Sequence, residues 1–535
     1  MIVPDTPSWI IGKLSEAIIK HNPHFEFNFY CLHPRDVQEK IGEFKKAVEE
    51  FKPDVIHFQY YRSCSQALEL WPELKNYKII LTHHNQKTKA IFHKKWGEIG
   101  VDKLVCHTQK CKEMLIENGD TNIEVIQHGI DLDYFSYNDV EPKEPRIGYV
   151  GRIVQWKGLL EICKVARELK MQVLVMGRLD KAEYWKKIEE YKDVIDFTYF
   201  DCKDEDRINA YRAMTIYVGN SIDGYEEGPM GLLEAWASGV PVITTPTGEA
   251  RDLAVDGENA RVIDFGHYEE LKSSISETMA DQELRKKFRK NGWSTVKNMT
   301  EEKMAREYSS LYYKVGNKNP LVSVIIPATY DRHNEVQKII ESLENQTYKN
   351  IEAIIVWDEK YSQPSDINKI IKLDSKDYKI PIKFLITYQD GYNLAMARNM
   401  GIVEAEGEFI LFNDARLCPE PDAIMKFMEA YSIPSDTAMW FFGDKGGGKR
   451  NFVENFSFVE RSEVIKFGMM NERIDLYGGL SQDIRTRWRL QGKAFFFVED
   501  AKATELKSSK TTMERRQDIV KSKLKLFKIF KNVSF

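Results

Sequence analysis

Short apolar runs alternate with helical patterns in three successive series along this chain, and that alternation narrows the fold to parallel α/β sheets. Asp54-Val-Ile-His-Phe58, Lys78-Ile-Ile-Leu-Thr82, Lys103-Leu-Val-Cys-His107 and Ile123-Glu-Val-Ile126 read as strands, with helical or loop segments between them. A second series opens at Arg146-Ile-Gly-Tyr-Val150. It passes through an amphipathic helix over Leu159 to Leu169, then through strands at 172–176, 195–200, 215–218 and 241–244. A helix over 301–314 follows, and the turn-forming cluster Gly316-Asn-Lys-Asn-Pro320 is the expected linker. A third series opens at Leu321-Val-Ser-Val-Ile-Ile326 and continues at 351–356, 383–386 and 409–412. The expected division is a lobe over 1–143, a lobe over 144–316, a third α/β domain over 321–505 and a tail over 506–535.

Composition excludes several classes. The 535 residues are 42 % hydrophobic and 30 % charged, enough apolar material for several cores and too much for a disordered chain. A formal charge of -5 gives no support for a nucleic-acid binder. The seven cysteines show neither a Cys-x-x-Cys pair nor zinc spacing, which fits a reducing compartment. The first residues show no basic stretch followed by an apolar core, and no run of 18 apolar residues occurs. The expected location is cytoplasmic, with at most peripheral contact on the inner membrane face.

The chemistry begins at Gly151-Arg-Ile-Val-Gln-Trp-Lys-Gly158, which follows a strand and opens a helix. Ligands bind at the C-terminal ends of parallel strands, and helix N-termini hold phosphate through their free N–H groups. Arg152 and Lys157 add two cations there, as a diphosphate leaving group needs. Alone, the octapeptide also fits a surface loop with two solvated cations. Further on, Glu226-Glu-Gly228-Pro-Met-Gly231-Leu-Leu-Glu234 places one glutamate before a helix and another, eight residues on, inside it. Gly228 and Gly231 permit close backbone approach to an anion, and Glu234 suits the hydroxyls of a ribose.

These residues resemble the retaining enzymes of glycosyltransferase family 4, which have the GT-B fold of two Rossmann-like lobes. Glu226 and Glu234 match that family's Glu-x7-Glu signature, and Arg152 and Lys157 match its Gly-Arg…Lys-Gly motif. The resemblance implies that Arg152 and Lys157 hold the donor diphosphate, that Glu234 holds the ribose and that Glu226 lies near the donor sugar. It further implies that the leaving diphosphate helps deprotonate the acceptor, without a metal. Leu81-Thr-His83-His84-Asn85 is similar to the family's Thr-x-His-Asp strand end, which puts His84 at the donor sugar; a structural role for His84 is the alternative. Where the family often has a Gly-Gly loop, only Gly12 is present. Gln127-His128-Gly129-Ile130-Asp131 resembles the hinge between the lobes, with His128 read as structural.

The third domain carries a different pattern. Strands end in Trp357-Asp358 and Asn413-Asp414, and Ala397-Arg398-Asn399 lies between them. Carboxylates at adjacent strand ends suit a base, a ribose and a divalent metal. The domain resembles the inverting glycosyltransferase family 2, of GT-A fold. That resemblance implies donor contacts from Asp358, Arg398 and Asp414, and magnesium or manganese on Asp414. Asp414-Ala-Arg416 departs from the family's Asp-x-Asp, with an arginine in place of the second carboxylate, and Ala501-Lys-Ala-Thr-Glu505 has no metal-binding histidine. Arg416 stands either for a cation on the diphosphate or for lost metal binding. Tyr477-Gly-Gly479-Leu-Ser-Gln482-Asp483 is similar to the stretch holding the family's general base, which falls on Asp483. A helix-start carboxylate favoured by the dipole is the bland alternative.

The tail is rich in lysine and arginine, with Ile519, Val520, Leu524, Leu526, Phe527 and Phe530 on one arc. It suits an anionic membrane surface or a helix packed on the third domain. The leading expectation is a bifunctional glycosyltransferase building a surface glycan or glycolipid from nucleotide-sugar donors. The competing expectation is one active GT-B site beside a GT-A module that only binds donor or acceptor.

Overall fold

The computed structural model describes residues 1–6, 10–23, 25–84, 95–179, 182–199, 204–222, 226–316, 319–329, 332–358, 378–387, 393–432, 437–446, 451–474 and 479–506. The expected tail therefore lies outside the described residues beyond Leu506. The chain divides into two compact units, Met1–Lys318 and Asn319–Phe535.

The first unit holds two parallel sheets. Among the described residues the first contains β1 (Ile2–Val3), β2 (Ile56–Phe58), β3 (Ile79–Thr82), β4 (Lys103–Cys106) and β5 (Ile123–Val125), in that order. The second contains β6 (Arg146–Val150), β7 (Gln172–Met176), β8 (Ile195–Tyr199), β9 (Ile216–Gly219), β10 (Val242–Thr244) and β11 (Arg261–Val262). Its spatial order is β11-β10-β9-β6-β7-β8, so the winding reverses between β6 and β9. Central strands such as Ile79–Thr82 and Gln172–Met176 read as largely apolar runs, as strands buried on both faces do. The Leu159–Leu169 helix buries Leu159, Ile162, Cys163, Val165 and Ala166 at helical spacing. Leu159, Ile162 and Val165 each contribute about 1.5–3 kcal/mol when fully buried.

The lobes are joined twice. After β5 the chain crosses at 127–131, and it returns at 299–301, where Ile130 N–H donates to Met299 O at 2.8 Å and Glu301 N–H to Ile130 O at 3.3 Å. The Glu301–Gly316 helix, two residues longer than its sequence pattern suggests, then packs on the first lobe. Its Met304, Tyr308, Leu311 and Tyr312 join a core with Ile2, Leu14, Ile80 and Val105.

The second unit is built on one mixed sheet. Its strands are β12 (Val322–Thr329), β13 (Ile351–Asp358), β14 (Ile382–Thr387), β15 (Phe409–Asn413), β16 (Leu417–Pro419), β17 (Met439–Asp444), β18 (Phe456–Glu460) and β19 (Ala494–Glu505). Their order is β14-β13-β12-β15-β18-β17-β19-β16. The pairings from β14 to β15 are parallel, and β18 turns antiparallel to both β15 and β17. Trp440, Trp488, Phe412 and Ile325 pack on one side of this sheet, and Ile355, Trp357, Phe427 and Phe458 belong to a separate core cluster. Among the described residues, no helix is long and apolar enough to cross a membrane.

Candidate active sites

In the first unit the loop after β6 and the segment after β9 meet where the strand order reverses. This is the place at which open α/β sheets bind ligands. Gly158 takes a left-handed conformation (φ 65°), and the Leu159–Leu169 helix starts at the next residue. A side chain at Gly158 would collide with the backbone of Asn220 from the β9 side, so the two segments meet without space for a Cβ. Lys157 forms an ion pair with Glu226, and both are largely withdrawn from water. Arg152 is exposed, its guanidinium 5.3 Å from the Trp156 ring centre. Lys157 and Glu226 therefore stand together, while Arg152 lies against Trp156 on the same loop.

Glu234 sits inside the Met230–Ala237 helix and is 2 % exposed. Its carboxylate pairs with Arg207 and accepts a hydrogen bond from Tyr211 O–H at 2.7 Å. A ribose hydroxyl reaching Glu234 must therefore share it with Arg207. Gly231 lies over the Tyr217 ring, and Gly228 packs so closely on the His128 imidazole that a Cβ would overlap it. Gly12 lies within the Ile10–Lys20 helix, buried, rather than in a loop. The apolar row Ile11, Leu14, Ala17 and Ile18 draws that segment into a helix.

His84, His107 and His128 converge, with ring centres 3.7 to 5.9 Å apart. Burial lowers the His107 and His128 imidazoles to about 3 and that of His84 well below its ordinary value. The Ile126 carbonyl accepts from His107 Nδ1–H at 2.7 Å, which leaves His107 Nε2 to accept from His84 Nδ1–H at 3.1 Å. His84 Nε2 is then an acceptor, and it faces the Gln59 amide at 3.0 Å. Amide oxygen and nitrogen exchange places at no steric cost, and with the nitrogen toward the ring Gln59 donates. Both nitrogens of His84 and of His107 are thereby used inside this chain of hydrogen bonds. A donor-sugar contact from His84 requires it to give one up.

Two buried glutamates of the second lobe grip the first lobe and the crossing between them. Glu227 accepts from His107 N–H (3.0 Å), Thr108 N–H (3.0 Å) and the Thr108 hydroxyl (2.8 Å). Glu249 accepts from His128 N–H at 2.8 Å and lies 3.0 Å from His128 Nδ1. Burial pushes the Glu249 carboxyl up to about 7, against the lowering pull of His107 and the His128 N–H.

In the second unit Asp358 ends β13 and Asp414 follows β15, both at the C-terminal edge of the parallel strands. The Asp358 side chain lies outside the described residues. Asp414 carries the Arg416 guanidinium across both oxygens, at 3.0 and 3.4 Å. Arg398, 1 % exposed, pairs with Glu454 at 2.7 Å, and the Ser481 hydroxyl also donates to Glu454. Asp483, in the first turn of the Leu480–Leu490 helix, is fully buried. It accepts from Arg487 at 2.6 and 2.9 Å and from Asn471 at 3.1 Å, while Arg487 also donates to the carbonyls of Phe467 and Met469.

Three family patterns match successive stretches of the chain: Glycosyltransferase Family 4 over residues 11–134, Glycosyl transferases group 1 over 134–294 and Glycosyl transferase family 2 over 323–488. The chain is a glycosyltransferase that joins a GT-B unit to a GT-A-like unit. It is similar to an uncharacterized glycosyltransferase of Methanocaldococcus jannaschii, 27 % identical over 292 residues, covering 50 % of this chain and 69 % of the relative. Likeness to the capsular polysaccharide biosynthesis glycosyltransferase CapM of Staphylococcus aureus is 29 % identity over 179 residues, covering 31 % of this chain and 45 % of CapM. Among solved structures, sucrose-phosphate synthase from Thermosynechococcus elongatus aligns with a TM-score of 0.50 at 18 % identity, covering 59 % of this chain and 98 % of that one. Anabaena HepE in complex with UDP and glucose aligns with a TM-score of 0.50 at 12 % identity, covering 58 % and 99 %. These two likenesses concern the fold.

Among the described residues, the donor set around Asp414 in this glycosyltransferase does not match what magnesium or manganese asks for. Such an ion asks for about six oxygens in near-octahedral array. Asp414 is already forked to the Arg416 guanidinium, Lys445 and Arg416 stand nearby as cations, and the neighbouring Glu454 and Glu505 face Arg398 and Arg416. Sequence reasoning passed over Arg207, Tyr211, Glu227, Glu249 and Lys445. Only Glu227 had a visible signal, a second glutamate beside Glu226.

Proposed function

We propose that this glycosyltransferase transfers sugars from nucleotide-sugar donors to a growing surface glycan or glycolipid, with retention in the first unit and inversion in the second. The observation that carries the reading is the meeting of Lys157 and Glu226 where the strand order reverses, beside the start of the Leu159–Leu169 helix. In the first unit Arg152, Lys157 and the helix N-terminus take up the charge growing on the diphosphate. The departing diphosphate accepts the acceptor's proton, and Glu226 stays beside the sugar. In the second unit Asp483 takes the acceptor proton for in-line attack. The likeness to CapM, a capsular polysaccharide biosynthesis glycosyltransferase, supports the glycan class. Peripheral membrane contact through residues 506–535 belongs to the same proposal, and liposome co-sedimentation with and without those residues tests it.

A second reading has its own support. Asp483 is buried and held by Arg487, and Asp414 is held by Arg416, which favours a GT-A-like unit that binds donor or acceptor without turnover. The deciding experiment is nucleotide release from a panel of nucleotide sugars, for the wild type, Glu234→Ala and Asp483→Asn, with and without EDTA. Full transfer by the first unit in Glu234→Ala overturns its donor-site assignment. An unchanged product set in Asp483→Asn leaves the second unit as a binding module. No release from any donor overturns both readings.

A further inference from the structure

We propose that the second unit holds a nucleoside diphosphate with Arg416 and Lys445 in the place of a divalent metal. The inference rests on the reading that this unit takes a nucleotide-sugar, and it names the groups that meet the diphosphate. Asp414 and Arg416 follow β15 at the C-terminal edge of the parallel strands, where ligands of such sheets bind. Lys445 directly follows β17, and Asn455 precedes β18. Asn455 ties the two loops together: its carbonyl accepts from Asp414 N–H at 2.8 Å, and its Oδ1 accepts from Lys445 Nζ at 2.8 Å. Lys445 therefore stands in the same electrostatic field as Asp414, Arg416, Asp444 and Glu454.

The carboxylates nearest the two cations already have partners of their own. Asp414 faces Arg416, and Glu454 faces Arg398. Glu505 adds a further carboxylate 3.8 Å from Arg416. A divalent ion brought to Asp414 would displace the guanidinium and then stand against two like charges. A diphosphate does the opposite. Two oxygens of one phosphate offer a guanidinium the same two-point acceptance as a carboxylate, so they can replace Asp414 on the Arg416 fork. Lys445 has three N–H donors on a flexible stem, so it can keep Asn455 on one and offer another to a second phosphate oxygen. On this reading Asp414 is a placeholder on Arg416 and competes with the diphosphate for it. A metal ligand would instead help the diphosphate to bind, which makes Asp414 the deciding residue.

The test uses the full chain and amide hydrogen exchange of the segments 409–417 and 439–446, so that binding at the first unit does not enter the readout. UDP, GDP and inorganic pyrophosphate are titrated in EDTA and in manganese. The expected result is protection of both segments in EDTA, with a midpoint changed less than twofold by manganese. Arg416→Ala and Lys445→Ala each raise the midpoint at least tenfold, and Arg416→Lys recovers part of the loss. Asp414→Asn leaves the midpoint equal or lower. Protection that appears only with manganese and vanishes in Asp414→Asn overturns the inference while leaving a nucleotide-sugar site in place. No protection by any probe in either condition overturns the inference and the underlying reading of this unit. Thermal melting of each variant separates lost binding from lost folding, and Asp414→Asn keeps the decision independent of Arg416→Ala.

Discussion

Thr108 gives Glu227 both its backbone N–H, at 3.0 Å, and its hydroxyl, at 2.8 Å. One carboxylate oxygen of the second lobe thereby anchors Thr108, whose hydroxyl caps the Gln109–Glu117 helix of the first lobe, with His107 N–H as a third donor. The contact is buried, so its loss leaves amide donors without water or carboxylate.

Glu227→Ala is expected to cost the first unit about 3 kcal/mol, because stranding buried donors costs about 1–3 kcal/mol for a group and more where charge is involved. Glu227→Gln, which keeps one acceptor oxygen, is expected to cost about 1 kcal/mol. Hydrogen exchange at His107 and Thr108 reads the local effect, and urea unfolding reads the global one. Wild-type protection at both amides in Glu227→Ala would remove the anchoring role.

Acid should unfold the first unit early. Burial lowers His57, His83, His107 and His128 to about 3, and His84 is lowered as well. For a base with a depressed native value, the stability is present above the unfolded value of about 6.5 and is lost as pH falls toward the native value. Each such histidine steepens the loss by up to about 1.4 kcal/mol per pH unit. Glu249 acts with the opposite sign: raised to about 7, its contribution is present below the unfolded carboxyl value and is lost as pH rises through 7. Five histidines outweigh one carboxyl, so the melting temperature should drop steeply between pH 6 and about pH 4. A flat melting profile over that interval would contradict this balance.

Gly228→Ala should damage the site far more than its single methyl suggests. The added carbon has no position clear of the His128 ring. A loss of about 2 kcal/mol in stability and at least a tenfold fall in first-unit transfer is expected, since overpacking costs about 1–3 kcal/mol. Gly97→Ala is the control: nothing lies within 4 Å of its added carbon, it stands within the Trp96–Ile99 helix, and it should be neutral or slightly stabilising. Equal effects of the two substitutions on transfer would refute the steric account.

Arg487→Ala is expected to destabilise the second unit by about 3–5 kcal/mol. It leaves the buried Asp483 carboxylate with Asn471 alone, and removing one partner of a buried pair carries that penalty. Asp483→Asn should cost less, because the amide still accepts from Asn471 and part of the Arg487 fork. Thermal unfolding of both variants measures the difference, and a milder effect from Arg487→Ala than from Asp483→Asn would reverse the argument.

The parts of this molecule written in neighbouring residues were readable before any coordinates. Arg146–Val150 and Gln172–Met176 form strands where their apolar runs stand, and the Leu159–Leu169 helix has its predicted bounds. Lys157 and Glu226 were suspected together because each sits in a recognisable local pattern. Arg207 meets Glu234 across 27 residues, and Glu227 and Glu249 reach their partners across about 120. Nothing local distinguishes those residues from solvated surface charges. Gly12 illustrates the other failure: a lone glycine suggested a loop, while the apolar spacing around it favoured helix.

The paired crossings near Ile130 and Met299 have a mechanical consequence. A single strand between two bodies lets them bend, twist and slide. Here two strands lie side by side and are tied by hydrogen bonds in both directions, from Ile130 to Met299 and from Glu301 back to Ile130. Twisting one body against the other would shear that ladder, while swinging about the line of the ladder leaves it intact. The paired crossings therefore fix the register of the two lobes against twist, and the Glu227 and Glu249 contacts lie on the same seam.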